Sequence, residues 1–283
     1  MKLALIDADG LCYHSLRETL EDSLTALDEK IQNIFEKTEC THYCMFVSKG
    51  KYFRYSIDPL YKANRTYKAK NPWSKTLKEV LIAKYGATYM PEVEADDLIS
   101  YFYNVPKIIH TVGHGESLEV EDALFNSRVP RIICSPDKDV LQGIAGKHFN
   151  YSYKLEDKDN PESVVKGWWV ETTDDEMQLN FWNSMVTGDT TDGIKGIEGK
   201  GIAFANKIYD VESVSLQYIC LREYISKYGL SQGIFEFQKN FRLLHLLTTD
   251  EDFLREVGKL PEYPKVIEVI RDSQIAKEPK IDF

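Results

Sequence analysis

Nine carboxylates fall in four short clusters, each at the end of an apolar run or the start of a helix-like one. They are Asp7 and Asp9; Glu94, Asp96 and Asp97; Asp137 and Asp139; and Asp189 and Asp192. Carboxylates repel one another and resist burial together, so a fold that gathers them must neutralise them with protons or cations. Hard oxygen donors favour Mg2+ or Mn2+. The chemistry this pattern implies is metal-assisted attack on phosphate.

The pattern between the clusters fixes the fold class. Leu3 to Ile6 reads as a buried strand running into Asp7, and apolar residues from about Ser15 to Glu36 recur at helical spacing. Tyr43 to Val47 and Arg131 to Cys134 read as further buried strands, Tyr52 to Ile57 as an extended segment, and Trp73 to Lys84 and Glu94 to Tyr103 as helices. On the last of these, Glu94 and Asp97 are three apart and share a face, while Asp96 points elsewhere. Alternating strands and helices predict an α/β fold with a mostly parallel central sheet flanked by helices. In such sheets sites lie beyond the carboxyl ends of the strands, where Asp7 and Asp137 fall. Residues 113–122 and 154–163 read as polar loops. From Asp174 onward the chain reads as nearly all helical, which predicts a domain over 1–173 and a helical subdomain over 174–283. We expect Trp168, Trp169 and Trp182 to pack under those helices.

At 283 residues and 43% hydrophobic, the chain can bury a full core. Its five cysteines are odd in number and mostly unclustered, which argues for a reducing compartment rather than a disulfide framework. Cys40, His42 and Cys44 lack the second ligand pair of a structural zinc site. The apolar run after Met1 ends at Asp7, too short for a signal peptide, and no stretch is long enough to span a membrane, so the expected setting is cytoplasmic. The six histidines show no paired spacing and carry no ligand expectation.

A formal net charge of −10 would disfavour a nucleic-acid partner if charge were evenly spread. It is not. Ten Lys or Arg residues lie between 49 and 84, among them Arg54, Lys62, Arg65, Lys68 and Lys78, against Asp58 and Glu79 alone. Tyr52, Phe53, Tyr55, Tyr61, Tyr67 and Trp73 are interleaved, and cations with flat rings are the composition of a single-strand or junction groove.

One glycine-dense segment interrupts the helical part: Thr187 to Asn206 reads TGDTTDGIKGIEGKGIAFAN. A turn from Gly196 to Gly201 entering a helix near Ile202 can offer backbone amides to a phosphate. Asp189 and Asp192 sit just before it.

Together these motifs resemble the 5′ nuclease superfamily: flap endonucleases, the 5′ nuclease domains of bacterial DNA polymerases and short phage 5′-3′ exonucleases. The resemblance spans about residues 2–212. It rests on LIDADG, DPLYKANR (Asp58 to Arg65), VEADD (Val93 to Asp97), SPDKD (Ser135 to Asp139) and TGDTTDG (Thr187 to Gly193), followed by GIKGIEGKG where the family has its helix-hairpin-helix. It implies a PIN-like nuclease domain with a short basic arch at about 49–86 and a helix-hairpin-helix at about 188–212. It further implies Asp7, Glu94, Asp96, Asp97, Asp137, Asp139, Asp189 and Asp192 as ligands of two Mg2+ or Mn2+ ions, or as carboxylates behind them, with a K+ at the hairpin. Asp7, Asp137, Lys62 and Arg65 would act on the scissile phosphate. Tyr61, Lys62, Arg65, Lys68, Gly196, Gly199, Lys200 and Gly201 would bind DNA, with Tyr61 stacking on a terminal base.

The implied activity is metal-dependent 5′-3′ exonuclease or flap-endonuclease cleavage of DNA, or of RNA primers on DNA, in phage or bacterial replication and repair, by a monomer beside other replication proteins. Two departures stand out: Ser48 occupies a place where the family often has an aspartate, and Ala203 one where it often has a lysine. LIDADG and GDTTDG also resemble the haloacid-dehalogenase phosphatases, with Asp7 as nucleophile and Asp9 as acid, a reading that leaves VEADD, YKANR and the hairpin without roles. A non-catalytic DNA-junction binder is the third reading.

Overall fold

The computed structural model describes residues 2–67, 71–105, 111–113, 116–118, 129–156, 163–210 and 214–269. Lys68 and Lys70 therefore lie outside the described residues, as do most of 113–122 and part of 154–163.

The first buried run forms β1 (Leu3–Asp7), and the chain turns at once into α1 (Ala8–Ser15) because the Asp7 carboxylate accepts the Gly10 N–H at 3.1 Å. The expected long helix starts later than about Ser15, and α1 before it was not expected. Leu16 is extended, Thr19 caps the new start, and α2 runs Leu20–Thr38. β2 (His42–Phe46) follows, then a one-turn helix α3 (Arg54–Ile57) where an extended segment was expected. There Tyr52 and Tyr55 stack at 5.8 Å and the Asp58 N–H bonds the Arg54 carbonyl, contacts an extended chain would not make. A 3-10 turn (Ala63–Tyr67) leads to α4 (Ser74–Tyr85), and α5 (Ala95–Asn104) begins one residue after Glu94.

The chain continues with the small hairpin β3 (Thr111–Gly113) and β4 (Glu116–Leu118), then β5 (Arg131–Cys134), α6 (Lys138–Gly143) and the long hairpin β6 (Gly146–Leu155) and β7 (Val164–Thr172). Lys154 and Leu155, expected in a loop, are instead the last residues of β6. Helices α7 (Asp174–Thr187), α8 (Ile202–Tyr209), α9 (Leu216–Tyr228), α10 (Leu230–Leu244) and α11 (Asp250–Glu256) complete the chain, with the short pair β8 (Gly188–Asp189) and β9 (Ile194–Lys195) and an edge strand β10 (Ile267–Glu268).

The central sheet has the order β10-β2-β1-β5-β6-β7, with β2, β1, β5 and β6 parallel and both edges antiparallel. Successive residues of β1 serve opposite faces. Ala4 and Ile6 pack with Leu27, Ile31 and Ile34 of α2 and with Leu77 and Leu81 of α4, while Leu3 and Leu5 pack with Leu98, Ile99 and Phe102 of α5. Each such fully buried aliphatic contributes roughly 1.5–3 kcal/mol. A separate helical core holds Trp182, Met185, Tyr224 and Phe237. Trp168 and Trp169, expected under these helices, instead lie on the edge strand β7, where Trp169 is 39% exposed and packs on Phe149.

Candidate metal and nucleic-acid site

The parallel register sets the site. Asp7 pairs with Phe46 of β2 and Ile6 with Cys134 of β5, so the carboxyl ends of β1, β2 and β5 finish side by side. Asp7 is 4% exposed. Its carboxylate accepts from Gly10 N–H and from Ser135 Oγ at 2.9 Å, and Tyr151 donates to its carbonyl at 2.5 Å. Burial and the charges of Asp9 and Asp137 nevertheless push Asp7 up to about 7.

Asp137 caps α6 by accepting the Asp139 N–H at 2.8 Å, and its own N–H donates to Ser135 Oγ. Asp139 is raised to about 6 by desolvation and by Asp137, Asp189 and Asp192. Asp96, on the first turn of α5, is raised well above the usual carboxylate range: desolvation acts first, then Asp7, Asp137 and Glu94. Asp7, Asp96 and Asp137 thus form one electrostatic cluster. The periodicity of α5 had set Asp96 aside, yet it is Asp96 that feels Asp7 and Asp137.

Asp97 is a correction to the expected ligand set. It is fully buried, and both oxygens are taken by Arg54, at 2.6 and 2.8 Å, with the Leu247 N–H on one of them at 3.1 Å. Asp97 is thus tied to Arg54 and the turn after α10, with its charge met by the guanidinium. Glu94 meets the same guanidinium. Its Oε2 accepts from Arg54 at 3.0 Å and from the Tyr61 hydroxyl at 2.9 Å, and its Oε1 meets Lys62. Although burial works the other way, Arg54 and Lys62 hold Glu94 below the usual carboxylate range.

The two motifs on either side of the site are docked on each other. The Lys62 N–H donates to the Asp192 carbonyl at 2.8 Å, and Asn64 Nδ2 donates to the carbonyls of Thr190 and Thr191. Arg65 pairs with the Asp192 carboxylate, and Lys62 reaches it at 3.4 Å. Asp189 shapes the turn by accepting the N–H groups of Thr191 and Asp192. Desolvation outweighs Lys62 and Arg65 and leaves Asp192 raised.

Several expected contacts with nucleic acid change. Tyr61 is 3% exposed and packs on Tyr55, so its ring is closed to a base. Phe53 is buried, and Tyr52 packs on Tyr55 rather than standing free. The basic run is partly spent: Arg54 is buried, Lys78 pairs with Asp9 at 2.5 Å and Lys84 with Asp28 at 2.9 Å. Gly196 is a packing glycine, since a Cβ there would stand 2.2 Å from the Val186 carbonyl oxygen. Gly199 and Gly201 are exposed at the turn into α8, and Lys200 lies over the Phe204 ring at 3.8 Å.

Asp9 acquires a place: it accepts the Ser48 N–H at 2.9 Å besides pairing with Lys78, whose ammonium also donates to the Ser48 carbonyl. Sequence reasoning missed Ser135, Tyr151 and Asn64, which hold the acidic residues in place. Ser135 and Asn64 lay inside quoted motifs, whereas Tyr151 lay outside them all.

The donor set consists of oxygens, crowded enough to raise one another's proton affinity, which suits a hard divalent cation. Among the described residues no three carboxylate, imidazole or thiol groups are gathered closely enough to hold one ion as the side chains stand.

Solved structures share this fold. A variant of the bacteriophage T5 flap endonuclease, in a pseudo-enzyme–product complex with DNA and metal ions, matches with a TM-score of 0.55 at 16% identity, over 92% of this chain and 94% of that one. The T5 5′-exonuclease with zinc ions bound matches with the same TM-score at 19% identity and the same coverage. The chain has the 5′ nuclease superfamily fold. No protein-family model and no curated protein sequence matches it. Within the 5′ nuclease fold the acidic residues lie at the strand ends, as described above, and the glycine hairpin opens α8. Among the described residues no helix is long and apolar enough to cross a membrane.

Proposed function

We propose that this chain is a divalent-metal-dependent 5′ nuclease that hydrolyses phosphodiesters in DNA bearing 5′ ends or flaps. The observation that carries the reading is the cluster of Asp7, Asp96 and Asp137, whose shared charge calls for a cation, with Lys62 and Arg65 held nearby on Glu94 and Asp192. Asp7, Asp96, Asp137 and Asp139 would hold Mg2+ or Mn2+, with Glu94, Asp189 and Asp192 around them. A divalent ion there supplies Lewis acidity and lowers the pKa of bound water.

The chain's own residues do the rest. Lys62 and Arg65 present positive charge where a phosphate becomes more negative, a preorganised stabilisation worth several kcal/mol. The exposed amides of Gly199 and Gly201, with Lys200, grip the backbone of the duplex at the head of α8. The T5 enzyme's complex with DNA and metal ions supports the substrate class. Asp9, the acid of a haloacid-dehalogenase mechanism, is instead committed to Ser48 and Lys78, which disfavours that alternative.

The test is one gel. A blunt duplex and a 5′-flap duplex, labelled separately at each end, are incubated with Mg2+ or with chelator. Mg2+-dependent loss of 5′ mononucleotides or release of the flap is expected. Intact DNA, or shortening from the 3′ end, would overturn the reading.

A further inference from the structure

Arg54 is a cation at 3% exposure in the middle of the molecule, and every one of its five N–H groups has an acceptor. Nε donates to the Leu243 carbonyl at 2.9 Å. One terminal nitrogen donates to Glu94 at 3.0 Å and Asp97 at 2.6 Å, and the other to Asp97 at 2.8 Å and the His245 carbonyl at 2.9 Å. Leu243 and His245 lie at the carboxyl end of α10, whose last carbonyls have no partner within the helix and carry its negative dipole end. One planar group therefore joins the head of α5 to the tail of α10.

The same helix reaches the glycine hairpin from its other side. Asn240 of α10 donates to the Lys195 carbonyl in β9 at 2.6 Å and to the Tyr224 hydroxyl at 2.7 Å. Tyr61, Ile194 and Leu243 pack together between them. A continuous set of contacts thus runs from the hairpin through α10 and Arg54 to Glu94.

We propose that Arg54 is a positioning residue for the acidic site: it fixes Glu94 from behind and makes its orientation depend on how α10 is seated. The inference rests on the nuclease reading of that site. Arg54 and Tyr61 occupy Glu94 Oε2, which leaves Oε1 to Lys62. A lysine keeps the charge but not the fork, so it cannot serve Glu94, Asp97 and two helix carbonyls together.

The test is Mn2+ binding by titration calorimetry, alongside cleavage of a 5′-flap DNA in Mg2+, on wild type, Arg54→Lys and Thr249→Ala. The last loses a helix cap on α11 and serves as a control for stability loss alone. Arg54→Lys is expected to bind Mn2+ about tenfold more weakly, the size usual for groups that orient metal ligands, with Thr249→Ala at the wild-type value. In a double-mutant cycle with Glu94→Gln the two losses should not add, because both remove the same oriented carboxylate. Wild-type Mn2+ affinity in folded Arg54→Lys, or full additivity, overturns the proposal. If near-ultraviolet circular dichroism shows Arg54→Lys unfolded, Asp97→Asn, which removes the bidentate seat but keeps the guanidinium, gives the same reading. A wild type that binds Mn2+ but leaves DNA intact overturns the nuclease reading, and the titration alone then decides for or against Arg54. No Mn2+ uptake by the wild type overturns both.

Discussion

Ser48 Oγ accepts the N–H of Ala95 at 2.9 Å and so caps α5 from the end of a neighbouring strand. Glu94, the residue at the cap position, makes no side-chain cap and keeps its carboxylate for Arg54, Tyr61 and Lys62. The serine that stands where a carboxylate was sought therefore has work of its own. Ser48→Ala should cost about 1 kcal/mol, the usual loss for a cap hydroxyl, read as a lowered thermal midpoint. An activity loss far beyond the stability loss would instead put Ser48 in the acidic site.

Gly196 and Gly201 bracket the hairpin turn but should respond in opposite ways. A Cβ on Gly196 would meet the Val186 oxygen at 2.2 Å and the Gly188 nitrogen at 2.4 Å, whereas one on Gly201 meets nothing within 4 Å. Gly196→Ala should destabilise by about 2 to 3 kcal/mol through forced backbone movement. Gly201→Ala should unfold within about 0.5 kcal/mol of wild type and lose duplex affinity instead. Denaturant melts and filter binding separate the two.

Asp252 links α11 to the preceding turn, accepting from the N–H groups of Thr248 and Thr249 at 3.1 Å and from Arg255 at 2.8 Å. Those bonds overcome its burial and hold it well below the usual carboxylate range. A depressed native pKa stabilises above the unfolded value of about 4 and is lost as pH falls through the native one. The deficit of Asp252→Asn relative to wild type should be largest at neutral pH and shrink steadily below about pH 4. A deficit that grows on acidification would contradict the assignment.

Lys62 and Arg65 should affect turnover more than binding. Lys62→Ala is expected to slow cleavage by about a hundredfold, as when one stabilising donor is removed from a preorganised site. Flap-DNA affinity in Ca2+ should change much less, because the hairpin and the remaining cations still hold the duplex. An equal loss in both would make Lys62 a binding residue only.

The strand ends were legible because a fully buried strand is a short apolar run, and two of them, β1 and β5, lead to an aspartate that the next helix uses as its cap. Asp7 and Asp137 both do this. The hairpin of β6 and β7 was not, since β6 alternates poorly and its closing residues look like any polar loop. Arg54 was hidden for a different reason. In a run of lysines and arginines nothing local marks the one that turns inward, and a four-residue helix is too short to show a period. The spacing of Glu94 and Asp97 correctly gave them a common face, and both do meet Arg54. What stands opposite a face comes from residues far along the chain, here α3 and the tail of α10, and no local pattern contains it.

The most direct measurement is flap-DNA cleavage in Mg2+ by Asp96→Asn, paired with its thermal midpoint. Asp96 is raised well above the usual carboxylate range by burial first and then by Asp7, Asp137 and Glu94. Removing its charge should relieve repulsion and leave the fold at least as stable, while cleavage falls by about a thousandfold or more. Undiminished cleavage by a folded Asp96→Asn would contradict a metal-dependent nuclease site at Asp7, Asp96 and Asp137.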